Sequence, residues 1–338
     1  MNEALGMKQP GQPEGRTGAR SLVEGALFAA LASLFAVAGL LPWLAILHLA
    51  IPIPLTIVGY RYGLRRAAAS AAVAVALTFL LSGSPVAVGE VIAAAAAGLV
   101  IAYGVRRGYP AIQTVLLASG AGLVTLVGQF FFSLWFLGIN LWQEALKFQR
   151  TFMDQVLKVM RDSVQKAPNP ATLQQLKAWE QGFQEAARQA PHMWPAAVVT
   201  AAFLAGALNY GIIRLTFRRL KLGELPAFPP FRLWRLPEWV GWAGLAAYAA
   251  GYADAAWHLT GAKAVFDNLF NLCLYAFLIE GLAVAWYYFD RWKVDRLTRW
   301  VIALFALWAF GAVTFWVVVA IGFLDIFLDY REPREGEI

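Results

Sequence analysis

The feature that most constrains this chain is a series of long apolar runs, each about as long as a membrane-crossing helix and nearly free of charge. A helix needs about 20 apolar residues to cross the hydrocarbon core of a bilayer. In hydrocarbon every backbone N–H and C=O group must be paired within the protein, which favours helices for these runs. The strict apolar/polar alternation of membrane β-barrels is absent from the sequence. The sequence therefore predicts an all-α, polytopic membrane helix bundle.

Nine of these runs are predicted to be transmembrane helices. The first two are separated only by the short stretch Gly39–Pro42, and merging them would reverse the side of every later segment. The last run is long for one helix, so a tilt or a kink near Gly311 is expected. The predicted spans are residues 22–38, 41–59, 67–82, 86–105, 111–139, 193–217, 238–257, 264–288 and 299–324.

Basic residues cluster at the ends of the runs, and their distribution predicts the orientation. Cytoplasmic loops carry an excess of Lys and Arg. With nine spans and an inside N-terminus, all the basic clusters fall on one side, which predicts a multi-pass protein of the bacterial cytoplasmic (inner) membrane with its C-terminus outside. The net charge of +7 then reflects these anchors, and no nucleic-acid partner is expected. The clusters are Arg16/Arg20, Arg61/Arg65/Arg66, Arg106/Arg107, Arg214/Arg218/Arg219/Lys221 and Arg291/Lys293/Arg296/Arg299.

Residues 140–192 differ in kind from the spans, because apolar residues recur there every three to four positions between charges. This pattern predicts amphipathic helices. Asn169 can cap a second helix with Pro170 at its first position. The expected helical hairpin lies outside the membrane, where it caps its own bundle, lies on lipid or binds a partner. The predicted organisation is a disordered cytoplasmic tail (1–20), a six-span domain (21–217) with the hairpin, a basic Pro/aromatic interfacial linker (218–237), a three-span extension (238–326) and a polar tail (327–338).

Signatures of catalysis are missing from the sequence. It contains no HExxH motif, no GxSxG elbow and no GxxxxGK[ST] loop. The three histidines are too dispersed for a zinc site, so no enzyme, cofactor or metal centre is expected. Asp254 and His258 are interpreted as an interfacial ion pair. Asp325 and Asp329 lie one turn apart, and such a pair holds a cation, is solvated at the membrane edge or binds a neighbouring Arg.

Polar side chains inside the apolar runs are the candidates for ligand binding. They are costly in hydrocarbon and often mark pathways or sites. The alternative is interhelical hydrogen bonding that stabilises the bundle, worth roughly 0.6 kcal/mol per contact. Glu280 is the strongest candidate, because it is ionisable and lies well inside a run. The candidates are Gln129, Asn209, Tyr210, Asn268, Asn271 and Glu280.

Small residues recur along the first run in two registers, Ala26/Ala30 and Ala29/Ser33. Small side chains spaced by four residues let two helices approach closely. Inside the bundle such a pair packs the protein's own helices, and on an outer face it forms a docking surface. The sequence leaves both possibilities open.

Several short motifs, taken in order, resemble the YybS-like family of predicted bacterial membrane proteins of unknown function. The resemblance covers roughly residues 20–331. One departure is Glu280, where the family usually has Gln, and this difference weakens any requirement for a charge there. The motifs are Glu24–Ala32, Ile53-Pro54, Tyr60–Arg65, Ala207–Tyr210, Arg218–Leu220, Phe231–Pro237, Asn271–Gly281, Gly322–Asp325 and Asp329–Arg331.

The six-span part also resembles the substrate-binding S components of energy-coupling-factor transporters. Their first helix carries an Ala-x-x-x-Ala motif that docks on a transmembrane coupling subunit, whose two ATPases drive uptake. Ala26 and Ala30 match this motif, with Ala29 and Ser33 as the alternative register. The chain departs from the pattern by three extra spans and the hairpin, and no vitamin-pocket motif is recognisable.

These resemblances imply a substrate-binding or transport subunit without its own ATPase. A small-molecule ligand would enter from outside, under the hairpin, and bind the polar groups of the fifth, sixth and eighth runs. The alternative function is a non-transporting membrane scaffold or regulatory interaction protein, whose core is closed by Phe, Trp and Leu.

Overall fold

The structure is a computed structural model that describes residues 18–165, 169–257, 262–328 and 330–331. Across these ranges all regular elements are helical, as predicted. Among the described residues, seven helical segments are long and apolar enough to cross a membrane, and a bent pair supplies an eighth candidate. The α-helices are α1 (Gly18–Gly39), α2 (Pro52–Tyr62), α3 (Leu64–Ser82), α4 (Pro85–Arg106), α5 (Ala111–Phe136), α6 (Leu141–Gln165), α7 (Pro170–Gln189), α8 (Trp194–Arg219), α9 (Glu238–Trp257), α10 (Ala262–Arg291), α11 (Arg296–Phe310) and α12 (Ala312–Leu328).

The chain divides into two compact units. Unit 1 comprises residues 1–129 and 203–227, and unit 2 comprises residues 130–202 and 228–338. The hairpin predicted at 140–192 groups with the C-terminal helices in unit 2, and the linker predicted at 218–237 is divided between the units. Unit 2 therefore combines part of the predicted six-span domain with the predicted three-span extension, whereas unit 1 contains only residues up to 227.

Unit 1 is built on α1–α4, whose contact surfaces consist largely of small side chains. Ala29, Ala32 and Ala36 on α1 are fully buried, and Leu55 on α2 and Ala74 on α3 complete the same core. Small residues at helix contacts let the backbones approach closely, which brings many atoms within van der Waals range. The alanine-rich runs thus form the interior of this unit.

The second apolar run of unit 1 is separate from the first but is not one regular helix. α1 ends at Gly39, and a 3₁₀-helix over Pro42–Ala50 precedes α2. Pro52 stands in the first turn of α2, where its missing N–H would have no intrahelical partner anyway. Residues 22–59 therefore contain two separate helical runs, with the second run broken in its middle.

The predicted hairpin of unit 2 consists of α6 and α7, which pack against each other. α7 begins at Pro170, and the Asn169 side chain accepts a hydrogen bond from the Thr172 amide at 2.8 Å. Between the two helices, the Arg161 guanidinium lies 3.0 Å from the Glu180 carboxylate. The break and the cap therefore stand where the sequence placed them.

The remaining helices of unit 2 form an aromatic-rich core. Val240 on α9, Phe277 on α10 and Val319 on α12 lie in one buried cluster, with Cys273 and Ile326 beside them. α9 coincides with the predicted seventh span but is not one of the seven helices apolar enough to cross a membrane. Its many Trp, Tyr and Gly residues lower its hydropathy, so its crossing stays a prediction.

The last apolar run breaks at Gly311, as predicted, but far more sharply than a tilted span would. α11 and α12 are bent by 118° relative to each other. Gly311 has φ +49°, a left-handed value that favours glycine. At the other end of α11, Asp295 caps the helix, and hydrogen bonds from the hydroxyl and amide of Thr298 hold the pKa of Asp295 below its usual range. The single span expected at 299–324 is thus two short helices.

Candidate functional site

Three charged side chains meet in the interior of unit 2. Glu280 belongs to α10, Asp325 to α12, and Arg331 follows α12 by one turn of chain. All three side chains are only 2% exposed. Charges are almost never fully buried unless they are paired, so this group, named the Arg331 cluster, requires a structural or functional reason.

Every N–H of the Arg331 guanidinium has an acceptor. Nε donates to Asp325 Oδ2 at 3.1 Å, and Nη2 donates to the same oxygen at 2.6 Å and to Glu280 Oε1. Nη1 donates to the backbone carbonyls of Arg232 at 3.1 Å and Trp234 at 2.7 Å. A guanidinium has five N–H groups, and this arrangement uses all of them.

The remaining carboxylate oxygens are also satisfied. Glu280 Oε2 accepts from the Leu236 amide at 2.9 Å, and Asp325 Oδ1 accepts from the Tyr330 amide at 3.2 Å. Buried polar networks that are fully satisfied rigidify a core and specify one arrangement. The cluster therefore joins α10, α12 and the linker segment 228–237 by charge-assisted hydrogen bonds.

This geometry bears on two sequence predictions. Glu280, the strongest ligand candidate, bonds to Arg331 and the linker backbone. The sequence left three possibilities open for Asp325: it holds a cation, is solvated at the membrane edge or binds a neighbouring arginine. In the structure Asp325 binds an arginine, Arg331. Asp329 lies outside the described residues. His258 and the side chain of Asp254 lie outside them as well, so the predicted Asp254–His258 ion pair falls outside the described part of the chain.

Two further candidates lie on α10 in unit 2. Asn268 Nδ2 donates to the carbonyls of His192 at 2.8 Å and Ala264 at 2.7 Å, and its Oδ1 accepts from the Ala196 amide at 2.9 Å. Asn271 Nδ2 donates to the Asp267 carbonyl at 2.7 Å. Asn268 thus joins α10 to the start of α8 and the 3₁₀ turn before it.

The candidates in unit 1 have comparable contacts. Gln129 Nε2 on α5 donates to the Gly89 carbonyl of α4 at 2.5 Å. Tyr210 on α8 is fully buried, and its hydroxyl donates to the Pro226 carbonyl at 2.8 Å. Asn209 is half-buried. Gln129, Tyr210 and Asn268 donate to backbone carbonyls of other segments, which is the pattern of the bundle-stabilising alternative. Asn271 donates within its own helix and joins no second segment by this bond.

The structure separates the two small-residue registers of α1. Ala29 is 0% and Ser33 1% exposed, and the Ser33 hydroxyl accepts a 3.0 Å hydrogen bond from Thr78 of α3. Ala26 and Ala30 are both exposed. The Ala29/Ser33 register therefore packs unit 1, and the Ala26/Ala30 register forms an outer face.

Sequence reasoning missed a contact between two ionisable side chains in unit 1. His48 Nδ1, in the 3₁₀ segment, lies 2.9 Å from a carboxylate oxygen of Glu90 on α4. His48 Nε2 is buried and has no hydrogen-bond partner within the described chain. His48 and Glu90 each stand out in the sequence as an ionisable residue inside an apolar run. Their spacing, however, does not predict that the two side chains are in contact.

Two concave surfaces in unit 2 are large enough to be considered as binding sites. The groove between α6 and α7 has a volume of about 490 Å³ and is lined by Arg150, Met153 and Arg188, among others. An apolar cleft of about 280 Å³ lies among α9, α10 and α12. Within residues 18–331, leaving out the gaps given above, no three His, Cys, Asp or Glu side chains are grouped so as to hold a metal ion.

Comparison with known proteins agrees with the resemblance drawn from the motifs. The uncharacterised protein YybS of Bacillus subtilis (strain 168) is 29% identical over 227 residues, which cover 65% of this chain and 68% of that protein. No solved structure matches the chain. The family model described as "Predicted membrane protein (DUF2232)" matches residues 29–326. Because this match covers most of the sequence, the chain belongs to the DUF2232 family of predicted membrane proteins.

Proposed function

We propose that this protein is a non-catalytic subunit of the bacterial cytoplasmic membrane that docks on another membrane protein through the exposed face of α1. The observation that supports this is the division of small residues on α1. Ala29 and Ser33 are buried within unit 1, whereas Ala26 and Ala30 are exposed one turn apart. Internal packing therefore does not account for the second pair.

The shape of this face suits a close helix–helix contact. Leu22, Leu27 and Leu34 on the same helix are 69%, 64% and 58% exposed, and they surround the two alanines with larger side chains. Small residues flanked by larger ones make a shallow groove into which a partner helix can fit. The occupant we propose, a transmembrane coupling subunit bound to ATPases, is the one that the resemblance to S components implies, and this sequence contains no GxxxxGK[ST] loop of its own.

A second candidate function, the non-transporting scaffold or regulator, uses the same face but carries no small-molecule ligand. It is favoured by the contacts of the predicted ligand residues. Gln129, Tyr210 and Asn271 donate to backbone carbonyls, and Glu280 binds Arg331. Side chains committed to internal hydrogen bonds leave fewer groups for a solute.

The docking proposal is tested by the double substitution Ala26→Trp with Ala30→Trp. The matched control is Ala68→Trp with Ala72→Trp, another exposed alanine pair four residues apart, on α3. Tagged protein extracted in native lipid should bring down an ATPase-bearing complex as wild type and as the α3 control. Indole rings on α1 should prevent the close approach and abolish recovery. Recovery with the α1 variant, or no ATPase with wild type, contradicts the proposal.

A substrate-binding subunit and a non-transporting scaffold differ in whether the protein binds a small-molecule solute. Small molecules released from the purified protein by denaturation can be identified and quantified by mass spectrometry. A substrate-binding subunit should carry one solute in a near-stoichiometric amount that growth medium can exchange. A scaffold should carry membrane lipid alone, while still losing its partner in the Ala26→Trp with Ala30→Trp variant.

A further inference from the structure

The path of the chain through α11 and α12 determines on which face of the membrane it leaves unit 2. We infer that these helices form a re-entrant pair, which enters and leaves on one face, and that Arg331 locks the returning end to the linker segment 228–237. Contacts at the start of α11, along α12 and at Arg331 carry this inference.

The start of α11 lies at the end of α10. Arg299 Nη1, in the first turn of α11, is 2.6 Å from Asp290 Oδ1, one residue before α10 ends. The other oxygen of Asp290 lies 3.0 Å from Arg232 in the linker segment. The chain therefore enters α11 beside the linker.

α12 runs parallel to α10, toward that same end. The rings of Phe277 and Phe323 are 5.3 Å apart, and the Tyr288 hydroxyl donates to the Tyr330 carbonyl at 3.1 Å. Residue numbers thus rise together along the two helices. Because α10 and α12 run in the same direction, α11 must lead the chain away from the linker end of α10, and α12 must lead it back to that end.

The lengths of the two helices agree with a re-entrant path. α11 has 15 residues and α12 has 17. At 1.5 Å per residue these helices are about 22 and 26 Å long, which is less than the roughly 30 Å of hydrocarbon in a bilayer. α11 has no buried residue, so it presents its apolar side chains outward. The 118° bend turns the chain back instead of tilting it.

Arg331 fastens the returning end. Its guanidinium binds the carbonyls of Arg232 and Trp234, while Glu280 accepts from the Leu236 amide. Arg331 therefore lies on the face that carries the basic cluster 291–299. Under the predicted orientation this face is cytoplasmic, whereas a straight ninth span led to the prediction of an outside C-terminus.

Cysteine labelling in sealed membranes tests the path. The background is Cys273→Ala, which removes the chain's single, buried cysteine. Reporters are Leu233→Cys in the linker segment, Lys263→Cys at the opposite end of α10, and Ile338→Cys. A membrane-impermeant maleimide applied to one side should label positions 233 and 338 together and position 263 only from the other side. Labelling of 338 together with 263 overturns the re-entrant path.

The lock is tested in the same background by combining Leu236→Cys with Arg331→Ala, because Leu236 is partly buried against the core of unit 2. We expect position 236 to react at least about tenfold faster than with Arg331 intact, because the linker segment loses two buried hydrogen bonds and its charged anchor. Arg188→Ala, on the exposed face of the hairpin, serves as the control and should leave the rate unchanged. An unchanged rate in a monodisperse Arg331→Ala protein rejects the lock. If that variant does not fold, Arg331→Lys, which keeps the charge but loses the forked hydrogen bonds, is measured instead, and an unchanged rate there also rejects the lock.

Discussion

The two units hold their helices together by different means. In unit 1, fully buried alanines on α1 and α3 bring the helices close, and a hydrogen bond between the hydroxyls of Thr78 and Ser33 joins the same two helices. In unit 2, aromatic side chains such as Phe277 and Phe323 fill the core beside a buried guanidinium and two carboxylates. Both solutions address the same problem, because lipid is as apolar as the helices and gives them no hydrophobic reason to associate.

The comparison indicates where each unit is vulnerable. A core of alanines has little room, so unit 1 should be sensitive to added volume. The core of unit 2 buries one guanidinium and two carboxylates, so unit 2 should be sensitive to any substitution that changes the balance of these charges. The following substitutions test this distinction.

The largest effect is expected from Arg331→Ala. Removing the guanidinium leaves two buried carboxylates facing each other, and breaking a buried ion pair costs about 3–5 kcal/mol. The buried thiol of Cys273 reports unfolding of unit 2 when it becomes reactive to a maleimide dye during heating. The exposed-arginine variant Arg188→Ala should unfold like wild type. A loss below about 1 kcal/mol would refute a stabilising role for the cluster.

Next in size is Ala29→Leu in unit 1. Ala29 is 0% exposed, and forcing a larger side chain into a close-packed core costs about 1–3 kcal/mol. The matched control is Ala26→Leu on the exposed face of the same helix, which should change stability little. Thermal unfolding of the two variants, followed by circular dichroism in one detergent, gives the comparison. Equal destabilisation would show that the two registers do not differ in burial.

Glu280→Gln should cost less than the loss of Arg331. The amide keeps a carbonyl oxygen for one hydrogen bond, and one guanidinium then faces one carboxylate instead of two. We expect a change of about 1 kcal/mol, the scale of a single hydrogen bond. Glu280→Ala, which empties the position, is the comparison variant and should be clearly worse in the same thiol assay. Similar losses for both variants would mean that the negative charge itself is required.

The smallest effect is expected from Thr78→Val in unit 1. This change removes the hydroxyl that donates to Ser33 but keeps the shape of the side chain. Interhelical hydrogen bonds in membrane proteins contribute roughly 0.6 kcal/mol. Thr78→Val combined with Ser33→Ala should cost little more than either change alone, as a double-mutant cycle would measure. Additive losses would show that the two hydroxyls do not act as a pair.

The sequence was sufficient for features that depend on local composition. The apolar runs, the Asn169 cap and the break at Gly311 follow from chain-local chemistry, and each is found where expected. The contact between Glu280 and Arg331 joins residues 51 positions apart, and no periodicity links an arginine in a polar tail to a carboxylate inside a run. The same holds for His48 and Glu90, and for the choice between the two registers of α1.

The spacing of the Arg331 cluster along the chain also imposes an order in time. Glu280 is synthesised 51 residues before Arg331, and the Trp234 carbonyl 97 residues before it. At about 5–20 residues per second, the carboxylate exists for roughly 3–10 s before the ribosome has made its partner. Glu280 is thus made before the side chain that neutralises it, and unit 2 can reach its final packing only after Arg331 has been synthesised.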